Sequence, residues 1–253
     1  DMGISNRGVS EVVSVTTSWY LTSITDPISG ETVNFSYNNY NVNYETLSAQ
    51  AHYFNPGFSD EVINKQNSTH NLLKPSGITF SSGRVEFSNT FSRCDLPGDY
   101  ALSEVKVFNE SNKLIKDFDL GYNYFYALGH SNSTVCGNPA NSIYARLMLS
   151  SVSEYSTDGN HNNPKTHTME YHPYTPSRLS MAQDHWGYYN GQDGNARLYP
   201  SYLYLTPAPG GTINLSGANR NVSSANALVG SISKITYPTK GYTTFELEGN
   251  TSS

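Results

Sequence analysis

Residues 182–194, "AQDHWGYYNGQDG", gather one Trp, two Tyr, one His and two Asp into thirteen positions punctuated by Gly. Flat aromatic rings beside carboxylates and amides suit a sugar or peptide platform, since a ring face stacks on the ligand while polar side chains bind its hydroxyls. On that reading Trp186, Tyr188, Tyr189, Asn190 and Asp193 carry binding, and the chain is a carbohydrate-binding module centred on Trp186. The structural reading is the stronger expectation. Period-two alternation sends Trp186 and Tyr188 to one side, where they cap the open end of a sheet sandwich and find partners in Asp184 or Gln183. Arg220, in "GANRNV", reads as a strut bonded to loop carbonyls or to Asp184.

Metal chemistry has weaker support. Asn190, Asp193 and Asn195 in "NGQDGN" offer oxygen ligands for Ca²⁺, but the run of acidic ligands and the closing Glu of a strong calcium loop are missing. The expectation is a polar turn and no cofactor. His161, His167, His172 and His185 cluster in sequence, yet His167 and His172 are five apart and point to opposite faces of a continuous strand. Zinc needs three or four converging ligands.

Covalent catalysis finds no Gly-x-Ser-x-Gly and no Cys/His signature. Asp26, Glu31, Glu86, Asp117, Asp119, Glu154 and Asp184 read as outward strand positions or turn acids, and Asp184 with Asp193 is the one carboxyl pair suggested. A non-enzyme is expected, with a glycan-active enzyme as the remote alternative.

The elements that must position these residues are legible in composition. Charged residues are only 14% of the chain while aromatics reach 13%, with twenty Tyr, so it should fold rather than remain disordered. Tyr, Thr, Val and Phe suit strands; abundant Asn, Ser, Gly and Pro supply turns. The net charge of −6 with no basic run argues against nucleic-acid binding, and no apolar stretch is long enough for a transmembrane helix. No leader is visible at Asp1, which reads as a processed chain or a piece of a longer one. Cys94 ("SRCDLPG") and Cys136 ("TVCGNPAN") sit in loop contexts; one disulfide and two free thiols are equal expectations.

Self-similarity organises the chain. Residues 21–37, "LTSITDPISGETVNFSY", and 230–248, "GSISKITYPTKGYTTFELE", share one plan: a short strand, a Pro/Gly turn and a returning alternation. Hairpins are predicted near 19–37, 77–87, 102–125, 145–171 and 230–248. Residues 60–73 and 223–230 hold weak helical signals, and 38–60, 126–143 and 194–229 have the least pattern. The predicted fold is all-β, with antiparallel consecutive hairpins in a sandwich or curled sheet. A single β-rich domain over 1–253 follows, as no composition break demands a boundary.

The first unit resembles the YD-repeat (RHS-like) proteins of Bacteroidota-type bacteria, in which a Leu-x-x-Ile/Val-x-Asp-Pro arm returns through Gly into a Thr/Val-x-Phe/Tyr-x-Tyr strand. "RLSMAQDHWGYYNGQDGNARLYP" and "GANRNVSSANALVGSISKITYPTKGYTTFELEGN" are similar to a block of their very long secreted or surface proteins. The resemblance implies a secreted or outer-surface location, with other domains of the same long chain or surface partners as neighbours and a glycan as the alternative partner. In such proteins YD arrays wind into hollow β-spiral shells around toxin cargo, so a cargo-enclosing shell segment of a toxin system is a further expectation. It implies no catalytic residues. The leading expectation is a non-catalytic structural or adhesive domain.

Overall fold

The structure, a computed structural model, describes residues 18–55, 58–157, 162–205 and 212–248. The hairpins foreseen at 19–37, 77–87, 102–125, 145–171 and 230–248 are all present as antiparallel strand pairs. In chain order the strands are β1 (Ser23–Thr25), β2 (Thr32–Asn55), β3 (Phe58–Phe80), β4 (Gly83–Ser92), β5 (Tyr100–Asn109), β6 (Leu114–Tyr126), β7 (Ala145–Tyr155), β8 (Lys165–Tyr171), β9 (Tyr202–Leu205), β10 (Thr212–Leu215), β11 (Ile232–Thr236) and β12 (Tyr242–Thr244). Two four-residue helices, α1 (Asn132–Val135) and α2 (Ser224–Ala227), and a 3₁₀ turn at Pro139–Tyr144 complete the elements.

Ten strands form one open sheet in the order β1-β2-β3-β4-β5-β6-β7-β8-β11-β12, each antiparallel to its neighbour; β9 and β10 pair separately. Of the two architectures expected, the curled sheet is the one observed. β1 and β12 are its edges. Turn chemistry explains the terminal hairpins: Gly30 takes φ +73 after Asp26-Pro27, and Lys240 takes φ +70 after Tyr237-Pro238. The Asp26 carboxylate accepts the N–H groups of Ile28 (3.0 Å) and Ser29 (3.2 Å), locking the first turn.

Two expectations are corrected. Residues 38–60 are not a patternless linker and 60–73 are not helical: β2 and β3 run through both as a hairpin whose register extends from Asn34↔Thr79 to Asn55↔Phe58. At about 3.3 Å per residue, the 24-residue β2 spans roughly 80 Å. β1 covers only residues 32–34 of β2, and β4 only residues 77–80 of β3, so the hairpin continues as a two-stranded ribbon. Ring pairs rigidify it: Tyr44 stacks on His70 at 4.9 Å.

Little oil holds the ribbon down. Among the described residues the buried apolar side chains are Val42, Val135 and five alanines. A polar knot takes the place of a large core. Asp95 and Asp99, 3% and 2% exposed, lie in the β4–β5 loop. Arg93 binds Asp95 at 2.7 Å and Asp99 at 2.9 Å, and Lys74 of the ribbon also reaches Asp99. Arg178 donates to the Asp95 carbonyl and lies over the Tyr44 ring, 5.7 Å from its centroid. Burial, followed by the Arg178 charge, pushes the nearby Arg146 guanidinium down to about 10. Such buried charges are sustained because each carboxylate is hydrogen-bonded as well as paired.

The same knot is covalently tied. Cys94 and Cys136 form a disulfide across 42 residues, joining the β4–β5 loop to α1, and the Cys94 N–H donates to the Tyr124 hydroxyl at 2.9 Å. The described residues of the 172–231 stretch then leave the sheet between β8 and β11, which pair directly. The neck closes where the His172 N–H meets the Ser231 carbonyl at 2.9 Å. This excursion carries the aromatic loop and anchors to the sheet through Arg178. No helix among the described residues is long and apolar enough to cross a membrane.

Candidate functional site

The excursion's aromatic loop is built on buried polar side chains. Asp184 is 1% exposed, and its carboxylate accepts the N–H groups of Trp186 at 2.8 Å and Tyr188 at 3.0 Å. Its own N–H donates to the Tyr188 carbonyl at 2.8 Å, and Gly187 turns the chain at φ +92. Arg220 donates to the carbonyls of Asp184 and Leu198, the strut role expected from sequence. Asn190, 2% exposed, donates to the carbonyls of Asn219 (2.9 Å) and Asn221 (3.2 Å) and accepts the Gln192 N–H at 3.2 Å.

This frame overturns one expectation. Trp186 and Tyr188 cap no sheet interior: they stand 81% and 62% exposed. Alternation of side chains holds only along an extended strand, whereas the Asp184 cap folds 184–188 into a tight turn, which points both rings outward. Of the polar residues foreseen as their partners, Asp184 is buried and Gln183 half-buried.

The remaining site residues divide into two sets. Asn195 donates to the carbonyls of Met181 (3.2 Å) and Asn219 (3.0 Å), and its oxygen accepts the Asn219 N–H at 3.0 Å. With Asn190 it is a clip between loop segments, both side-chain oxygens being bonded to backbone N–H. Asp193 belongs elsewhere. It accepts the Tyr189 hydroxyl at 2.6 Å and the Tyr174 hydroxyl at 3.4 Å. Burial first, then the Asp193 carboxylate, pushes the Tyr189 phenol well above its ordinary value. Tyr174 holds φ +74, a left-handed conformation that costs a bulky residue about 1–3 kcal/mol.

A second cluster went unforeseen as a cluster. Glu104, Asp117 and Asp119, on adjacent strands β5 and β6, bring carboxylate oxygens within 4.8 Å of one another. Cross-strand register explains it: Glu104 lies opposite Asp119, and Lys106 opposite Asp117. Lys106 donates to Glu104, and this bond, with the charges of Asp117 and Asp119, raises the ammonium's pKa despite some desolvation. Asp117, expected to face outward, is fully buried. Among the described residues this is the one such gathering of His, Cys, Asp or Glu; His167, His172 and His185 join none, and His161 lies outside the described residues.

Compared with protein-family models, curated proteins and solved structures, the chain matches none.

Proposed function

We propose that the chain is a non-catalytic structural segment of an exported YD-repeat-like protein, its sheet prolonged at both edges by hairpins of its own kind. One observation carries this reading: an open sheet of ten strands begins and ends on the same Ile-Thr-x-Pro…Gly hairpin, with both outer strands unpaired among the described residues. Strand edges are templates for pairing. Along β12 the Phe245 N–H bonds inward to Ser233 and the Gly241 carbonyl inward to Tyr237, so alternation turns the N–H groups of Tyr242 and Thr244 outward. Large apolar side chains wait at both edges: Trp19 is 86% and Ile28 95% exposed at one, Tyr242 65% at the other. Nine antiparallel pairings separate β1 from β12, so the two run in opposite directions, and a β1-type strand laid on β12 continues the antiparallel order. The disulfide supports export to an oxidising compartment.

Sedimentation of the purified chain tests this. Without neighbours the edges satisfy each other, giving association that grows with concentration, and Thr244→Pro, which removes an outward donor while leaving the β11–β12 bonds intact, suppresses it. A wild-type chain that stays monomeric as concentration rises to the millimolar range overturns the reading.

A second reading rests on the exposure of Trp186 and Tyr188 above a rigid polar frame, the arrangement of a glycan platform. Retention on a glycan array, lost in a folded Trp186→Ala variant, tests it; equal retention by both proteins, or none by either, dismisses it.

A further inference from the structure

A groove of about 460 Å³ separates the segment around α1 and the 3₁₀ turn from the excursion. His130, Tyr144 and Tyr174 contribute rings to its lining, Leu179 and Met181 apolar surface, and Asp193 its carboxylate. The volume lies within the range of small-molecule sites. Each wall is braced from behind. The His130 and Tyr144 rings stack 3.7 Å apart at 11°. Tyr174 leans on Tyr189 with centroids 5.5 Å apart, and both phenols converge on Asp193. The Arg178 N–H donates to the Ile143 carbonyl at 2.8 Å, fixing the walls relative to each other. Tyr174 combines a left-handed backbone with a hydroxyl that reaches Asp193, and strained residues collect where a ligand is handled.

The chemistry of the lining narrows the ligand. Among the described residues no Lys or Arg lines the groove, and its Asp193 carboxylate repels an anion. The Asn195 amide is bonded to backbone on both sides, and the Ser177 and Ser180 hydroxyl oxygens already accept the N–H groups of Leu179 (3.3 Å) and Ala182 (3.1 Å). A sugar, whose hydroxyls need donors and acceptors around the ring, would find the Asn195 donors engaged and would depend on the serine hydroxyl protons. Aromatic π faces, a thioether and a carboxylate form an electron-rich, mainly apolar surface. That surface fits a cation lacking hydrogen-bonding demands of its own. The chain's net charge of −6 attracts cations to it.

We propose that this groove binds a quaternary ammonium group, its N-methyls against the rings of Tyr144 and Tyr174 and its charge balanced by Asp193. This site is independent of the edge-pairing reading and of the Trp186 platform.

The test is calorimetric titration of the full chain with choline, with 3,3-dimethylbutan-1-ol as the uncharged molecule of the same shape. Choline binds saturably, and the neutral alcohol binds about tenfold more weakly. Asp193→Asn lowers choline affinity by about that factor and leaves alcohol binding unchanged, and Tyr144→Leu weakens choline with Asp193 intact. Phosphatidylcholine vesicles in a pelleting assay show whether a membrane-borne headgroup enters as the free ligand does. Equal affinity for choline and the alcohol, saturable binding of N-acetylglucosamine in place of choline, or no saturable choline binding overturns the proposal. The wild-type comparison of charged and uncharged ligand decides the matter even where a variant fails to fold.

Discussion

The guanidinium of Arg220 donates to the carbonyl oxygen of Asp184, whose carboxylate caps the turn that displays Trp186. One buried acid thus joins a structural strut to an exposed ring. Asp184→Ala leaves the N–H groups of Trp186 and Tyr188 without their acceptor and costs about 1–3 kcal/mol. Hydrogen exchange should speed up across 184–190 while β5, β6 and β7 keep their protection; protection lost evenly across the sheet would contradict a local frame.

Trp186→Ala should barely move stability, within about 0.5 kcal/mol, because the ring is 81% exposed. Asp95→Asn should behave in the opposite way. It removes one of Arg93's two carboxylate partners, Asp99 remaining, and one of the two oxygens that accept from Arg93 and the Leu147 N–H. Losing a charge-assisted bond in such a buried network costs about 1–3 kcal/mol. Urea midpoints of the two variants, measured side by side, rank the polar knot against the aromatic loop.

Reduction of the Cys94–Cys136 bond, which spans 42 residues, releases loop entropy worth about 4 kcal/mol in the unfolded chain. Denaturation with and without reductant, repeated on a Cys94→Ser/Cys136→Ser variant, measures it. A reduced chain as stable as the oxidised one would show that the polar knot alone fixes the β4–β5 loop.

Alkali should destabilise the fold. Burial raises the phenols of Tyr122, Tyr124, Tyr126, Tyr171 and Tyr189. A folded pKa above the unfolded value means that the unfolded chain loses these protons first. The associated stability is complete below the ordinary phenol pKa of about 10 and drains as pH rises past it. Denaturation midpoints at pH 8 and pH 11 check the sign, and Tyr189→Phe should shrink the difference.

The terminal hairpins were readable because Pro27 and Pro238 punctuate clean alternation, and Gly30 and Gly241 follow in the same turns. The ribbon was obscured by composition. Tyr40, Val42 and Tyr44 alternate with Asn39, Asn41 and Asn43, and Asn is depleted in strands, so a genuine period of two looked like a linker. The loop at 184–188 departs from the pattern for another physical reason: a side-chain cap and a left-handed Gly187 replace the extended backbone that makes alternation meaningful. Arg93, Asp95 and Asp99 are close in sequence, but Lys74 and Arg178 reach them only through the fold. The groove likewise joins Tyr144, Tyr174 and Asp193 from three distant stretches, and no local pattern announces such a meeting.

Strict alternation of strand direction across the sheet constrains how such a protein can grow or shrink. Loss of a single strand would leave the two edge strands running the same way, where now they run in opposite directions. Loss or duplication of a complete up-and-down pair leaves both ends unchanged. Lineages carrying this architecture should therefore differ in length by whole hairpins, and engineers splicing it should cut in the turns.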